Sequence, residues 1–206
     1  MPHIPSSATT EIEVLRFDEA LKKSILPCPD YDTDKWLYVP NFYSEYRYIL
    51  GTKGKNSLIC IGINPSTARP DALDRTLQSV ERIALSNGYD SFIMFNVYAQ
   101  RATSPDDMER ILNYDLHTEN MNAFRYILSL SEECPKIWAA WGAIIEKRDY
   151  LPLCVIEMVE IGMQYGAKWY TAGKRSVKGH PHHPLYLKSD SVLDEFDDIN
   201  SYLKKL

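Results

Sequence analysis

The segment Leu58-Ile-Cys-Ile-Gly-Ile-Asn-Pro-Ser-Thr-Ala68 decides the fold. Residues 58–63 form a short, unbroken apolar run, which is typical of a strand buried on both faces of a parallel sheet. Pro65 ends the run because it cannot donate to a sheet ladder, and it favours an extended Asn64. Gly62 has no Cβ, so another group can approach its backbone closely. Open α/β sheets bind ligands at the carboxyl ends of their strands, so Asn64 is a candidate site residue; an ordinary exit from a strand explains the same pattern.

Further apolar and amphipathic segments surround this strand. Strands are predicted at 91–96, 135–140 and 168–171, with a strand pair over 36–50. Helices are predicted at 12–26, 74–87, 107–130 and 152–165. This alternation predicts an α/β fold: one domain over 1–206, with a mainly parallel central sheet, helices on both faces and an N-terminal extension of about 1–45.

Composition indicates an ordinary globular protein. The chain has 206 residues, of which 45% are hydrophobic and 25% charged. No apolar stretch approaches the ~20 residues that span a bilayer, and the N-terminus lacks the layout of a signal peptide. We therefore expect a cytoplasmic monomer without a membrane partner. The net charge of −5 argues against a protein coated in positive charge, but it allows a local basic rim around one cleft.

The four cysteines are widely spaced and form no CxxC pair. This spacing favours reduced thiols over a zinc site. Cys60 lies inside the first strand, so we expect a buried, inert thiol. No cofactor is predicted.

A second notable cluster is Lys174-Arg-Ser-Val-Lys-Gly-His-Pro-His-His-Pro-Leu185, in which three of the five histidines fall within four positions. A metal could bind such a cluster, but no carboxylate stands beside it and the prolines limit convergence of the rings, so no metal is predicted. A solvated loop with structural histidines is one alternative. The other is a rigid loop that carries one functional imidazole, with Lys174, Arg175 and Lys178 facing an anion.

The order of these motifs resembles that of the uracil-DNA glycosylase superfamily. The shared features are Gly62-Ile-Asn-Pro-Ser66, Phe95-Asn96, Trp141-Gly142 and His180-Pro-His-His-Pro-Leu185. The first motif is most similar to the mismatch-specific uracil/thymine branch. The Asn-Pro-Ser-Thr-Ala form also resembles an uncharacterised bacterial and phage family. The match covers about 58–187 as an ordered set of short motifs.

The resemblance implies a uracil-DNA-glycosylase-like fold and hydrolysis of an N-glycosidic bond in DNA. Such an enzyme orients a water, places a donor at the base oxygen that gains charge, and holds a flipped base in a pocket. By this resemblance Asn64 orients the water, His180 hydrogen-bonds the leaving base and Asn96 recognises its polar edge. The implied pocket residues are Gly62, Ile63, Pro65, Ser66 and His183, and the implied DNA contacts are Lys174, Arg175, Lys178 and His182.

Three departures from the superfamily pattern change the expected substrate. Ser66 replaces a residue that often walls the pocket, His182 and His183 replace a small hydroxyl residue, and Asp71 and Asp74 have no certain counterpart. A smaller residue at 66 leaves room for a bulkier base. We therefore predict a DNA glycosylase that excises a modified or damaged pyrimidine, with defence against modified phage DNA as one setting. The alternatives are a non-catalytic reader of a base or nucleotide, and a hydrolase of a free modified nucleoside or nucleotide.

Overall fold

A seven-stranded mixed sheet runs through the structure, a computed structural model that describes residues 1–206. The spatial order of the strands is β1-β2-β4-β3-β5-β6-β7. The strands are β1 (Trp36–Val39), β2 (Ile49–Thr52), β3 (Ser57–Gly62), β4 (Ser91–Asn96), β5 (Lys136–Ala139), β6 (Lys168–Ala172) and β7 (Leu193–Glu195).

The four central strands are parallel and the strands at both edges are antiparallel. β3 pairs in parallel with β4 and β5, and β5 pairs in parallel with β6. This confirms that the predicted apolar runs are neighbours in one sheet. The sheet is nevertheless mixed, because β1, β2 and β7 run antiparallel to their neighbours. β7 was not predicted, because it has three residues and no buried side chain to mark it.

Five α-helices cover the sheet. They are α1 (Phe17–Ser24), α2 (Arg75–Ser86), α3 (Tyr114–Ser129), α4 (Tyr150–Gln164) and α5 (Ile199–Leu203). Apolar residues of α3 and α4 pack in one core cluster and those of α2 in another, so helices cover both faces as predicted. The predicted N-terminal extension is built into the domain, since β1 belongs to the sheet and α1 packs against β1 and α3. No helix has both the length and the apolar character that a membrane span requires.

The predicted helix over 107–130 is wrong in its first part. Pro105–Asp107 form only a single 3₁₀ turn, and α3 begins at Tyr114. The start is set by Asn113, whose side chain accepts hydrogen bonds from the N–H groups of Asp115 and Leu116. Between the two segments, the side chain of Gln100 accepts the N–H of Glu109 at 2.8 Å, so this backbone is paired outside a helix.

The connections create a crevice at one edge of the sheet. From β3 the chain passes through α2 to β4 on one side, and from β4 it passes through α3 to β5 on the other side of β3. The strand order therefore reverses between β3 and β5. In open α/β sheets the ligand crevice lies outside the carboxyl ends of the strands at such a reversal.

Candidate functional site at the carboxyl edge of the sheet

Asn64 stands just beyond the carboxyl end of β3 and has a fixed orientation. Its Nδ2 donates to the carbonyl oxygen of Ala102 at 2.7 Å and to that of Pro65 at 3.1 Å. An amide donates through nitrogen and accepts through oxygen, so these two bonds decide which way the group faces. The Oδ1 has no protein partner, which leaves one free acceptor on a half-buried side chain.

Asn96 ends β4 beside Gly62, its register partner on β3. The side chain is only 1% exposed, and its Oδ1 is buried without any hydrogen-bond partner. A buried acceptor left unpaired costs about 1–3 kcal/mol, so the Oδ1 of Asn96 is a candidate acceptor for a donor on a ligand. A Cβ on Gly62 would lie 3.7 Å from this oxygen and 2.5 Å from Cε of Met94, so the glycine keeps this space open.

His183 lies near the end of β5. Gly142 follows that strand with a φ of +62°, and a Cβ on it would lie 3.6 Å from the Cβ of His183. Burial lowers the pKa of His183 below its ordinary value, which favours the neutral ring. Its Nδ1 accepts the N–H of Leu185 at 3.3 Å, which assigns the proton to Nε2. The Nε2–H has no protein partner and is therefore a neutral donor.

Asp74 brings a negative charge to the same region. It is the N-cap of α2, where its Oδ1 accepts the N–H of Leu77 at 3.0 Å. Its charge raises the pKa of His183, against the larger effect of burial. The turn 184–186 that follows His183 packs against α2, which explains the proximity. Asp71 points elsewhere: it accepts from Nε1 of Trp36 at 3.1 Å.

His180 differs from the predicted catalytic donor because both of its ring nitrogens are occupied. The residue is 3% exposed, with Nδ1 3.0 Å from the hydroxyl of Tyr202 and Nε2 3.2 Å from Oε1 of Glu146. The same hydroxyl accepts the Nε1–H of Trp141 at 2.9 Å. His180 therefore ties the loop after β6 to the end of β5 and to α5. Neither Tyr202 nor Glu146 was predicted as a partner of this loop from the sequence.

The predicted DNA-contacting cations lie on the surface of that loop, and two of them are paired. Lys178 lies 2.8 Å from Glu146, and Arg175 lies 2.9 Å from Asp198. These ion pairs lower the pKa of both carboxyl groups. Lys174 is exposed and makes no ion pair. A cavity of about 580 Å³ lies between these side chains, and Lys205 of the C-terminal segment also lines it.

The remaining predicted site residues, of the pocket and of the DNA-contacting loop, are divided between the interior and the surface. Gly62, Ile63 and Pro65 are buried, and His182 is exposed. Ser66 is half-buried, and its hydroxyl lies 2.9 Å from that of Thr103. This contact and the bond from Asn64 to Ala102 join the turn after β3 to the segment 101–103.

Two buried arginines, missed in the sequence analysis, support this turn. Arg47 and Arg101 are 1% and 0% exposed, respectively. Arg47 donates through Nη1 to the carbonyl oxygen of Ala68 at 3.1 Å. Arg101 donates to the carbonyl oxygens of Ser66 and Ala68 and, through Nη2, to the hydroxyl of Tyr38 at 3.1 Å. An arginine carries no sequence signal of burial, because the residue type is usually exposed.

A second cavity and the cysteines lie outside this candidate site. A cavity of about 530 Å³ lies near the amino ends of the strands, lined partly by 52–57. All four cysteines are free; Cys60 is buried as predicted, and burial raises its pKa well above the ordinary value. No group of three or more His, Cys, Asp or Glu side chains is arranged to hold a metal ion.

Comparison with known proteins corrects the predicted family. Residues 47–185 match the family described as protein of unknown function (DUF1643), and no uracil-DNA glycosylase family matches. No curated protein and no solved structure matches the chain. The predicted membership of the uracil-DNA glycosylase superfamily is therefore wrong. The motifs behind it are short, and a proline or asparagine after a strand arises for local reasons that many α/β proteins share. The match spans more than half of the sequence, and the chain belongs to the DUF1643 family.

Proposed function

We propose that the protein hydrolyses the bond between a base and its sugar at the carboxyl edge of β3, β4 and β5. The observation that carries this proposal is the fixed amide of Asn64, which has its nitrogen bonded to main-chain carbonyls and its Oδ1 free. A free amide oxygen accepts a hydrogen bond from water and so orients the water for attack, although it is too weak a base to deprotonate it.

The neighbouring groups match the charges that develop when an N-glycosidic bond breaks. Positive charge grows on the sugar, where the carboxylate of Asp74 is favourable, and that carboxylate can also accept the proton of the water. Negative charge grows on the departing base, which the Nε2–H of His183 can stabilise. The unpaired Oδ1 of Asn96 is suited to an N–H or amino group on the base.

This assignment moves the leaving-group donor from His180 to His183. The two nitrogens of His180 already bond to Tyr202 and Glu146, so the ring has no free donor to offer. The Nδ1 of His183 is occupied, whereas its Nε2–H is free. We therefore assign His180 the role of holding the loop and His183 that of contacting the base.

The preferred substrate is a modified or damaged pyrimidine flipped from DNA. A flipped base offers its polar edge to an acceptor such as Asn96, and Ser66 leaves more room than a larger residue would. The finer description of the fold as uracil-DNA-glycosylase-like stays a prediction, and the proposed chemistry does not depend on it. A setting in base excision or in defence against modified phage DNA is likewise proposed.

A free modified nucleotide is the second candidate substrate. The observation that favours it is the pairing of Lys178 with Glu146 and of Arg175 with Asp198. Cations neutralised in this way attract a DNA backbone less strongly than free cations do. A small nucleotide needs no extended basic surface, which also suits the net charge of −5.

Base release decides between these substrates and tests the proposal. Single- and double-stranded oligonucleotides with varied pyrimidine modifications, and the matching 5′-monophosphates, are incubated with the protein, and free base is detected by mass spectrometry. We expect release from at least one substrate, and Asn64→Ala should slow it by about a hundredfold under single-turnover conditions.

Asn122→Ala is the matched control, since Asn122 is an exposed asparagine on α3. This variant should release base at the wild-type rate. Equal rates for the wild type and Asn64→Ala would remove Asn64 from the mechanism. Tight binding of a base-containing ligand without release would favour the non-catalytic reader instead.

A further inference from the structure

The buried arginines Arg47 and Arg101 carry charge without a directly paired carboxylate. Neither residue takes part in an ion pair within 4.0 Å. Asp74 is the acidic residue whose charge reaches both guanidinium groups, where it opposes the effect of burial on their pKa. Two positive charges thus share one carboxylate that is also the cap of α2.

Three guanidinium nitrogens in the interior have no hydrogen-bond partner. They are Nε and Nη2 of Arg47 and Nε of Arg101. The two atoms on Arg47 form one edge of its guanidinium, the fork that binds two oxygens of a phosphate or carboxylate side by side. Burial, and then the nearby charge of Arg101, lowers the pKa of Arg47 to about 9. Burying such charge is costly unless an anion completes the pairing.

We infer that Arg47 and Arg101 form an anion subsite of the candidate site, and that it takes a phosphate group of the nucleotide substrate. This inference deepens the proposed function and rests on it for the identity of the nucleotide. Arg101 bonds to the carbonyl oxygens of Ser66 and Ala68, in the turn that Asn64 begins. The subsite therefore adjoins the base-binding edge, as a phosphate on the same nucleotide requires.

A surface residue, Tyr43, lies over Arg101. Its ring centroid is 4.3 Å from Cζ of Arg101, and the residue is 44% exposed. Its hydroxyl lies 3.0 Å from Nδ1 of His3, which holds the ring in place. For an anion to reach Arg101 from this side, the ring of Tyr43 has to move aside.

Thermal unfolding of the full chain tests the subsite without any chemistry. The probes are inorganic phosphate, thymidine 5′-monophosphate and thymidine, each compared with chloride at the same ionic strength. We expect phosphate and the monophosphate at saturating concentration to raise the midpoint of the wild type by about 3 °C or more. Arg47→Met keeps most of the side-chain length and removes the charge, so the rise should disappear in this variant.

Two further variants keep the test decisive. In Lys174→Gln/Arg175→Gln/Lys178→Gln the surface cations are removed, and the phosphate-dependent rise should remain. Arg47→Lys keeps a charge but loses the two-pronged donor edge, so its phosphate affinity should fall about tenfold even if Arg47→Met does not fold. The inference is overturned if the wild type shows no rise, if Arg47→Met and Arg47→Lys both retain it in full, or if the surface triple variant loses it.

The two proposals can fail separately. A phosphate-dependent rise that needs Arg47, found in a protein that releases no base, would leave the anion subsite standing and remove the proposed hydrolysis. Base release without any phosphate-dependent rise would support the proposed hydrolysis and remove the anion subsite. Thymidine alone should produce no rise through Arg47, because it lacks the phosphate.

Discussion

Two histidines of one loop, His180 and His183, have opposite surroundings. His180 is enclosed by Tyr202 and Glu146, which bond to both ring nitrogens. His183 has one nitrogen bonded to the backbone of its own turn and one free. Burial lowers the pKa of His183, so its ring stays neutral as the pH falls below the ordinary value of 6.5. A neutral imidazole with a free N–H can donate to a departing base, whereas a ring bonded on both sides can only support the loop.

Substituting each histidine separates these roles. His183→Ala should slow base release by about a hundredfold or more, because a donor lost in a water-poor site costs on the order of 3–4 kcal/mol of barrier. Its unfolding midpoint in urea should change little. His180→Ala should instead lower the free energy of unfolding by about 1–3 kcal/mol, since it removes the hydrogen bonds of the buried ring to the hydroxyl of Tyr202 and to Glu146. If His180→Ala abolished release at unchanged stability, the original assignment to His180 would be the correct one.

The sequence could place these histidines in one functional loop but could not tell them apart. Their spacing and the flanking prolines are visible in the sequence. The groups that occupy His180 lie 22 and 34 positions away and are brought to it only by folding. The same holds for Arg47 and Arg101, which meet at the carbonyl oxygen of Ala68 without any local pattern.

At the scale of elements, α2 links stability to the candidate chemistry through its first residue. Asp74 caps the helix with Oδ1, and its charge reaches His183 and the buried arginines. A cap needs only an acceptor, so asparagine can replace aspartate there. The proposed chemistry needs the negative charge, which asparagine lacks. Two substitutions of Asp74 can therefore separate its contribution to helix stability from its contribution to the reaction.

Asp74→Asn should keep the free energy of unfolding within about 0.5 kcal/mol and slow base release by about a hundredfold. Asp74→Ala should slow release similarly and also lose about 1 kcal/mol of stability with the cap. Asp71→Asn is the control, because Asp71 is exposed and bonds to Trp36 rather than facing the site. Chemical denaturation and single-turnover release are measured on all three. Wild-type release by Asp74→Asn would show that the charge has no part in the reaction.

Elements with strong local signals were the ones that the sequence predicted well. The central strands β3 and β4 are mostly apolar because both faces are covered, and α2 has a cap at each end. The helix predicted over 107–130 was too long at its amino end. Its periodicity does not show that Asn113 is the N-cap and that the helix begins only at Tyr114. β7 and α5 have three and five residues, too few for any period to emerge. Yet α5 supplies Tyr202, which fixes the histidine loop.

At the scale of the whole molecule, the chain is acidic, and most of its predicted basic rim is already paired. The net charge is −5, while Lys174, Arg175, Lys178 and Lys205 gather at one cavity with Glu146 and Asp198 among them. A DNA backbone would have to compete with these two carboxylates for the cations. A free nucleotide bound at the sheet edge would not contact these cations and would face no such competition. The response of binding to charge and salt therefore distinguishes the two substrate classes.

Opposite charge changes around this cavity should have opposite effects if DNA is the substrate. Lys174→Glu/Arg175→Glu/Lys178→Glu should weaken DNA binding at least tenfold and flatten its dependence on salt, because each lost phosphate contact removes about 0.9 from the slope of log K against log salt. Glu146→Gln/Asp198→Asn frees Lys178 and Arg175 and should strengthen binding, while glutamine can still accept a bond from His180. Fluorescence anisotropy at several salt concentrations measures both effects. If neither variant changes DNA affinity and base release from a free monophosphate stays at the wild-type rate, the nucleotide is the substrate and the cations are a solvated surface.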